Sequence, residues 1–338
     1  MNFLDDISQL SQELGFVDFG IAEACALSRE QEQLTAYLHA GHHGRMGYLE
    51  RNPAQRCDPS LLVADAASVW IFLAPYLPAP KSPAFARIAG YAQGKDYHLL
   101  IKERLYRLLQ RIQTHFPQTQ GRAFTDSAPI LERSWAVRCG LGFIGRNGLL
   151  IHPQYGSRVL IGALVLNTPI DALLDALPQK SPTAQKIFRK DDLPQLKDAQ
   201  NRSLGCGHCN LCLKNCPGQA LVAPYCLDAR KCIAYRTLEE PAMIKAEAKR
   251  QGAPTPARAG VKRPLAGWLY GCDACQEICP WNKKALQQGW PELHCYQEAL
   301  SNLQRSDWEQ MDEITFRSRF PDSPLLRCGL PNLSDESL

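Results

Sequence analysis

The chain has 338 residues, of which 45% are hydrophobic and 21% charged, and a net charge of +4. That length is enough for two domains and a substantial core, the composition is that of an ordinary globular protein, and the mild basicity permits an anionic partner without demanding one. No apolar run reaches the ~18 residues that a membrane span requires, and the opening Met-Asn-Phe-Leu-Asp-Asp has neither the basic nor the apolar region of a signal peptide. The expected compartment is therefore the reducing cytoplasm, where fourteen cysteines are not a disulfide framework.

Residues 1–15 place Phe3, Leu4, Ile7, Leu10 and Leu14 on one helical face. Phe16 to Ile21 reads as a short strand, and 29–51 as helix broken by Gly41-His-His-Gly-Arg-Met-Gly. His42 and His43 have no third metal ligand nearby and read as a polar loop. Ser68-Val-Trp-Ile-Phe-Leu-Ala is a buried strand, and Pro78 to Pro83 a surface loop. The stretch Tyr91 to His98 opens a long helix, in which Leu99, Leu100, Leu105, Leu108 and Leu109 recur near a 3.6 period.

Phe124-Thr-Asp126-Ser-Ala-Pro puts a carboxylate at the end of a short strand, and helix 130–139 follows. On the residues alone Asp126 is an N-cap for that helix. Gly140, Gly142 and Gly145 match the dinucleotide spacing G-x-G-x-x-G, but the run leaves a helix and enters a strand, opposite to the nucleotide-binding order. Nucleotide binding is rejected, and the glycines are read as letting the backbone approach a flat ligand. Two apolar strands, Leu149-Leu-Ile and Ser157 to Leu166, flank Pro153-Gln-Tyr-Gly156. Residues 171–203 are polar and carry no period, so they read as a linker.

Cys206-Gly-His-Cys209-Asn-Leu-Cys212-Leu-Lys-Asn-Cys216-Pro217 has the spacing C-x₂-C-x₂-C-x₃-C-P, the bacterial run for a [4Fe–4S] cluster whose fourth Cys serves the other cluster of a pair. Zinc also accepts thiolates at x₂ spacing, but this longer pattern favours iron–sulfur. Cys272-Asp-Ala-Cys275-Gln-Glu-Ile-Cys279-Pro280 repeats the run with one Cys missing, which Cys232 supplies, with Cys226 its competitor. The crossover then groups Cys206, Cys209, Cys212 and Cys279 on one cluster, and Cys216, Cys232, Cys272 and Cys275 on the other. Two such clusters form a wire for single electrons. Cys25, Cys57, Cys139, Cys226, Cys295 and Cys328 read as buried or bystander thiols. Between the runs, Lys245 to Arg263 carries six Lys/Arg and one acid. It is either a solvated loop or a phosphate-backbone contact. A helix over 297–311 and a Pro-rich end close the chain.

Asp126-Ser-Ala-Pro-Ile-Leu-Glu-Arg, Cys139-Gly-Leu-Gly-Phe-Ile-Gly-Arg-Asn147, Pro153-Gln-Tyr-Gly-Ser157, Leu227-Asp-Ala-Arg-Lys-Cys232-Ile and the two cysteine runs together resemble the epoxyqueuosine reductases, over roughly residues 1–325. The resemblance implies an α+β fold. A nitroreductase-like cobalamin-binding domain, a sheet flanked by helices, spans 1–195; a ferredoxin-like domain with two [4Fe–4S] clusters spans 196–290; and 291–338 is a short helical tail without a helical-repeat domain. The implied reaction is the last step of queuosine biosynthesis, reduction of epoxyqueuosine to queuosine at the tRNA wobble position by cobalamin fed from the clusters. A tRNA carrying epoxyqueuosine, a low-potential electron donor, a monomer and no membrane are the expected associations.

The resemblance also assigns roles. Asp126 gives a proton to the leaving oxygen, and its apolar neighbours Phe124, Ala128, Pro129 and Ile130 allow a pKa raised by burial. Tyr97 faces the active site, Arg56 reaches the corrin side groups, and main-chain groups around Leu150 and Ile161 line the lower corrin face. Asp96-Tyr-His98 begins the cobalamin signature D-x-H-x-x-G, but Ile101 stands where its Gly belongs. That fragment reads as coincidence, and the resemblance implies a cofactor bound base-off without a His ligand. Two other classes stand beside the reductase: a reductive dehalogenase, commonly exported behind a twin-arginine leader, and a plain electron carrier. The carrier would not need the 205 residues that precede Cys206.

Overall fold

The computed structural model describes residues 2–80, 86–178, 182–192, 194–197, 201–254 and 265–330. Its centre is a sheet of β1 (Asp18–Glu23), β2 (Ser68–Pro75), β3 (Gly121–Phe124), β4 (Val159–Leu166) and β5 (Ile187–Phe188), in the order β3-β4-β2-β1-β5. Neighbours run antiparallel except β1 and β5. Central β2 registers Ser68 opposite Leu166 and Pro75 opposite Val159, and all of its residues are buried.

Ser-Val-Trp-Ile-Phe-Leu-Ala-Pro lacks polar alternation, so both faces of β2 must be covered. Side chains of a strand alternate between faces. Trp70, Phe72 and Ala74 enter one core with helix α1 (Phe3–Glu13). Val69, Ile71 and Leu73 enter a second with Leu27, Ile130 and Trp135. Helix α2 (Ser28–His39) buries none of its residues and ends at His39, directly before the Gly41–Gly47 turn.

Helix α3 (Tyr97–His115) lies on the first core through Ile101, Leu105, Leu108 and Ile112, an i, i+4, i+7, i+11 seam. Leu99, counted in the sequence periodicity, falls off that seam and is 68% exposed. The helix approaches closely because Gly162 on β4 has no side chain. A Cβ there would come within 2.7 Å of Ile101 Cγ2 and 3.1 Å of Leu105 Cδ1.

The 171–203 stretch is more than a linker. It supplies β5, and Phe188 packs so closely against Gly140 that a Cβ there would meet its ring at 2.7 Å. Farther on, Arg87–Ile88 pairs in parallel with Trp268–Tyr270. Leu269, Tyr270, Leu300, Leu303, Trp308, Phe316, Phe320 and Leu325 pack there as a third core. The expected 297–311 helix is two helices, Gln297–Ser301 and Arg305–Gln310, the second opened by Asp307 accepting from the Gln304 N–H at 2.7 Å. Trp290 and Leu293 reach back into the first core.

In the basic run, Glu239–Arg250 is a helix whose Lys245 Nζ donates to the Cys328 carbonyl at 2.5 Å, while Lys249 and Arg250 are exposed. Arg258, Lys262 and Arg263 lie outside the described residues, as do parts of the Pro78–Pro83 loop, of 171–203 and of the tail. Among the described residues no helix is long and apolar enough to cross a membrane.

The Gly162 contact yields a test. Gly162→Val drives two methyls into Ile101 and Leu105 and should cost about 1–3 kcal/mol, seen as a lower melting temperature in calorimetry. An unchanged Tm would mean that α3 lifts freely from the sheet.

Candidate active site

A cleft of about 920 Å³ opens where the β3 end of the sheet meets the cysteine-bearing segment. The volume is in the range of cofactor sites. Its lining includes Tyr97 at the start of α3, Asp126 to Pro129 after β3, and Val159 to Ile161 opening β4. Facing them are Cys216, Cys232, Cys272 and Cys275, with Arg327 at the far end of the chain. A buried polar seam holds the two sides together. Asn282 Oδ1 accepts from the Ser157 N–H at 2.7 Å and its Nδ2 donates to Ser157 Oγ at 2.9 Å. Gln276 Oε1 accepts from Tyr76 and Ser157 hydroxyls at 3.2 and 2.9 Å. Asp273 accepts from the Gly90 N–H at 2.7 Å, and its burial pushes that carboxyl up to about 6.

Asp126 sits where the chain turns out of the sheet. Thr125, just before it, donates to the Ile161 carbonyl at 2.9 Å. Asp126 itself is left-handed, with φ +48°, a conformation that Asp and Asn tolerate better than other side-chain-bearing residues. Its Oδ2 accepts a very short hydrogen bond from the Tyr97 hydroxyl. Its N–H donates to Glu132 Oε1 at 2.9 Å.

Two sequence expectations change here. Asp126 caps no helix: α4 is Glu132–Arg138, its N-cap is Leu131, and no side chain caps it. Nor is the Asp126 side chain enclosed by its apolar neighbours, since the residue is exposed to the cleft. The carboxyl raised by burial is instead Glu132, pushed up to about 7 by desolvation first and by the Asp126 charge second. Tyr97 is 6% exposed, and burial, then Asp126, holds its phenol well above the ordinary value.

The other expected site residues divide. Arg56, on the short helix Pro53–Cys57, lines the cleft with its guanidinium 5.6 Å from the Tyr48 ring centre. Its Nη2 donates to the Tyr48 carbonyl at 2.8 Å, while its buried Nε has no partner among the described residues. Ile161 lines the cleft; Leu150 is buried in the short strand Leu150–Ile151, and its neighbour Leu149 reaches the lining instead. Asp96 is the N-cap of α3, accepting from the His98 N–H at 3.0 Å, and pairs with His98 Nδ1 at 2.6 Å. That accounts for the Asp-Tyr-His fragment as capping chemistry. His42 contacts Cys226 Sγ at 3.7 Å, and His43 pairs with Glu50 at 2.8 Å.

Gly140, Gly142 and Gly145 lie outside the cleft lining. A Cβ at Gly142 would meet the Ile151 carbonyl at 2.5 Å, and one at Gly145 would meet Ile151 Cδ1 at 2.5 Å. Their smallness serves packing within the chain, not the approach of a flat ligand.

The cysteines fall into two sets by mutual charge influence. Cys206 and Cys212 feel Cys209 and Cys279. Cys272 and Cys275 feel Cys216 and Cys232. Backbone N–H groups point at the sulfurs: Arg146 N–H to Cys206 Sγ at 3.4 Å, Ala220 N–H to Cys216 Sγ at 3.3 Å. Among the described residues no three His, Cys, Asp or Glu gather as for a single metal ion. Eight thiols in two sets of four are the donor set that two cubanes take.

Glu132 and Arg327 escaped the sequence reading. Glu132 stands within Asp126-Ser-Ala-Pro-Ile-Leu-Glu-Arg, a motif that carries the resemblance, with no role of its own assigned to it. Arg327 comes from the chain end, and its Nη1 lies 3.3 Å from His98 Nε2. Because the folded-state pKa of Glu132 is raised from 4.5 to about 7, the folded protein holds this proton more tightly than the unfolded chain. Stability from this group is greatest below the unfolded value and falls as pH rises through that window. Glu132→Gln removes the fall. Its Tm relative to the parent should therefore be higher near pH 8 than near pH 5; an equal difference at both would contradict the burial of that charge.

The family model described as "Epoxyqueuosine reductase QueG, DUF1730" matches residues 56–127, and "4Fe-4S double cluster binding domain" matches 205–282. An epoxyqueuosine reductase of Leadbetterella byssophila is 33% identical over 333 residues, 98% of this chain and 96% of the relative. The crystal structure of an epoxyqueuosine reductase with an epoxyqueuosine-modified tRNA-Tyr stem loop is 23% identical, with a TM-score of 0.72, covering 96% of this chain and 76% of that one. A Bacillus subtilis epoxyqueuosine reductase, solved with its catalytic aspartate loop swung out of the active site, is 24% identical with a TM-score of 0.73, covering 96% and 77%. Identity of one residue in three along nearly the whole of both chains, on this shared fold, makes the chain a member of the epoxyqueuosine reductase family.

Proposed function

We propose that this oxidoreductase reduces epoxyqueuosine to queuosine in tRNA. The observation that carries the reading is one cleft holding both chemistries: the Tyr97–Asp126 pair on one wall and Cys216, Cys232, Cys272 and Cys275 on the other. The relative crystallised with a modified tRNA stem loop supports an RNA substrate. The proposed domain division is 1–195 for the cofactor and substrate, 196–290 for the clusters, and a helical tail over 291–338, of which the described residues 291–330 carry a core of their own and reach back to the sheet.

Removing an epoxide oxygen as water takes two electrons and two protons. Cobalamin in the cleft would supply a two-electron nucleophile, and two [4Fe–4S] clusters would supply electrons singly. Cys206, Cys209, Cys212 and Cys279 would hold one cluster; Cys216, Cys232, Cys272 and Cys275 the other. Arg56, with an unpartnered buried Nε, would meet a polar corrin side group, and the opening residues of β4 around Ile161 would form the apolar floor. Asp126 holds the proton for the leaving oxygen, oriented by the Tyr97 hydroxyl. The seam of Gln276 and Asn282 keeps the cluster side at a fixed separation from that acid.

Two outcomes test the assignments. Iron and sulfide should reach about eight each per chain. Cys232→Ala should lose half of one cluster's iron or more, while Cys226→Ala keeps all of it, in keeping with the Cys226–His42 contact. Iron lost with Cys226→Ala would exchange the two cysteines. For the acid, Asp126→Asn retains size and tolerates the left-handed backbone but cannot give up a proton. Single turnover of epoxyqueuosine tRNA by pre-reduced enzyme, read by nucleoside mass spectrometry, should slow by roughly 10²-fold or more. Cluster content should stay unchanged, and near-parental conversion would remove Asp126 from the chemistry.

A further inference from the structure

The left-handed backbone at Asp126 has to be held, because a side-chain-bearing residue at φ +48° is strained relative to the ordinary regions. Thr125 ties the chain to β4 just before the turn. Beyond it, Ser127 is exposed, and the Ile130 N–H bonds only locally, to the Ala128 carbonyl at 2.9 Å. Asp126 has two restraints of its own. Tyr97 holds its carboxylate, and Glu132 Oε1 accepts its N–H at 2.9 Å. The Tyr97 bond must yield when the carboxyl turns to a substrate oxygen, whereas the bond to Glu132 survives that change. Glu132 is rooted in the first turn of α4, one helical turn before the fully buried Trp135. It faces the same cleft.

We infer that Glu132 is a positioning residue: its carboxylate oxygen latches the Asp126 amide and keeps the acid aimed into the cleft. The latch acts through acceptance of a hydrogen bond, not through charge. A Gln carbonyl oxygen at the same place serves as well; Ala does not, nor does Asp, whose shorter side chain withdraws the oxygen. Nothing else on α4 replaces it, since Leu131 and Arg133 flank it with no carboxylate. The inference rests on the proposed role of Asp126 only for its effect on turnover, and the latch itself is read separately.

The test is hydrogen exchange of the peptide spanning Phe124 to Leu131 in the cluster-loaded enzyme, beside single-turnover conversion. Glu132→Ala and Glu132→Asp should each speed exchange at the Asp126 amide by roughly 10-fold or more, since the loss of one restraining bond of about 1–2 kcal/mol has that effect. Both should slow conversion by roughly 10- to 100-fold, with KM for the modified tRNA little changed. Glu132→Gln should restore both readouts, which a merely structural use of the charge would not allow. Two variants guard against a misfolded one, and iron content reports on each. Unchanged exchange in both Glu132→Ala and Glu132→Asp overturns the latch, as does a Glu132→Gln variant as loose as Glu132→Ala. Faster exchange with undiminished conversion overturns the positioning role, while slow conversion by Asp126→Asn in the same assay shows that the acid itself still acts.

Discussion

The structure depends on a buried polar seam. Asn282 and Gln276, both nearly inaccessible to water, clasp Ser157 and Tyr76 across the line where the sheet meets the cysteine-bearing segment. Buried amides left without partners are costly, so a slip of one side against the other exposes several unmet donors and acceptors at once. Apolar packing alone would tolerate such sliding; directional bonds do not. The same junction is braced outside by Arg87, whose Nη2 donates to both Glu277 carboxylate oxygens at 2.6 and 2.7 Å and whose guanidinium stacks 4.0 Å over Trp268. Distance between electron source and reacting centre is thereby a property of the fold rather than of a flexible hinge.

Within that frame the acid wall of the cleft concentrates opposed demands. Burial, and then the neighbouring Asp126 charge, raise the cost of ionising Glu132. Arg327 offsets part of this negative field: burial raises the Glu239 carboxyl, and the nearby guanidinium opposes part of that rise. That cation arrives from the chain end, which is why the 291–330 region cannot be regarded as an appendage. Its aromatic core carries Arg327 to the cleft.

Legibility in the sequence followed the range of the interaction. The cysteine runs could be read because cluster ligation is written in short, fixed spacings. β2 could be read because a strand buried on both faces has no polar alternation to confuse it. The glycines at 140, 142 and 145 were misread because their partners, Phe188 and Ile151, are set by tertiary packing, and a two-residue strand such as β5 carries no period. Asp126 looked like a cap, since Asp before Ser-Ala-Pro is good capping chemistry. Only the observed backbone shows its N–H given to Glu132 and its carboxylate to Tyr97. Leu99 belongs to the leucines that recur near a 3.6 period, although the buried seam passes through Ile101 instead.

The positive φ of Asp126 also narrows what evolution can try there. Left-handed backbone is comfortable for Gly and tolerable for Asn and Asp. Of these three only Asp carries a titratable proton. Glu, the usual conservative exchange for Asp, would bring both strain and an extra methylene into the cleft. Conformation and chemistry thus select the same single residue by independent routes. A substitution table that scores Asp and Glu as near equivalents would misjudge this position, while Asn would fit the backbone and lack the acid.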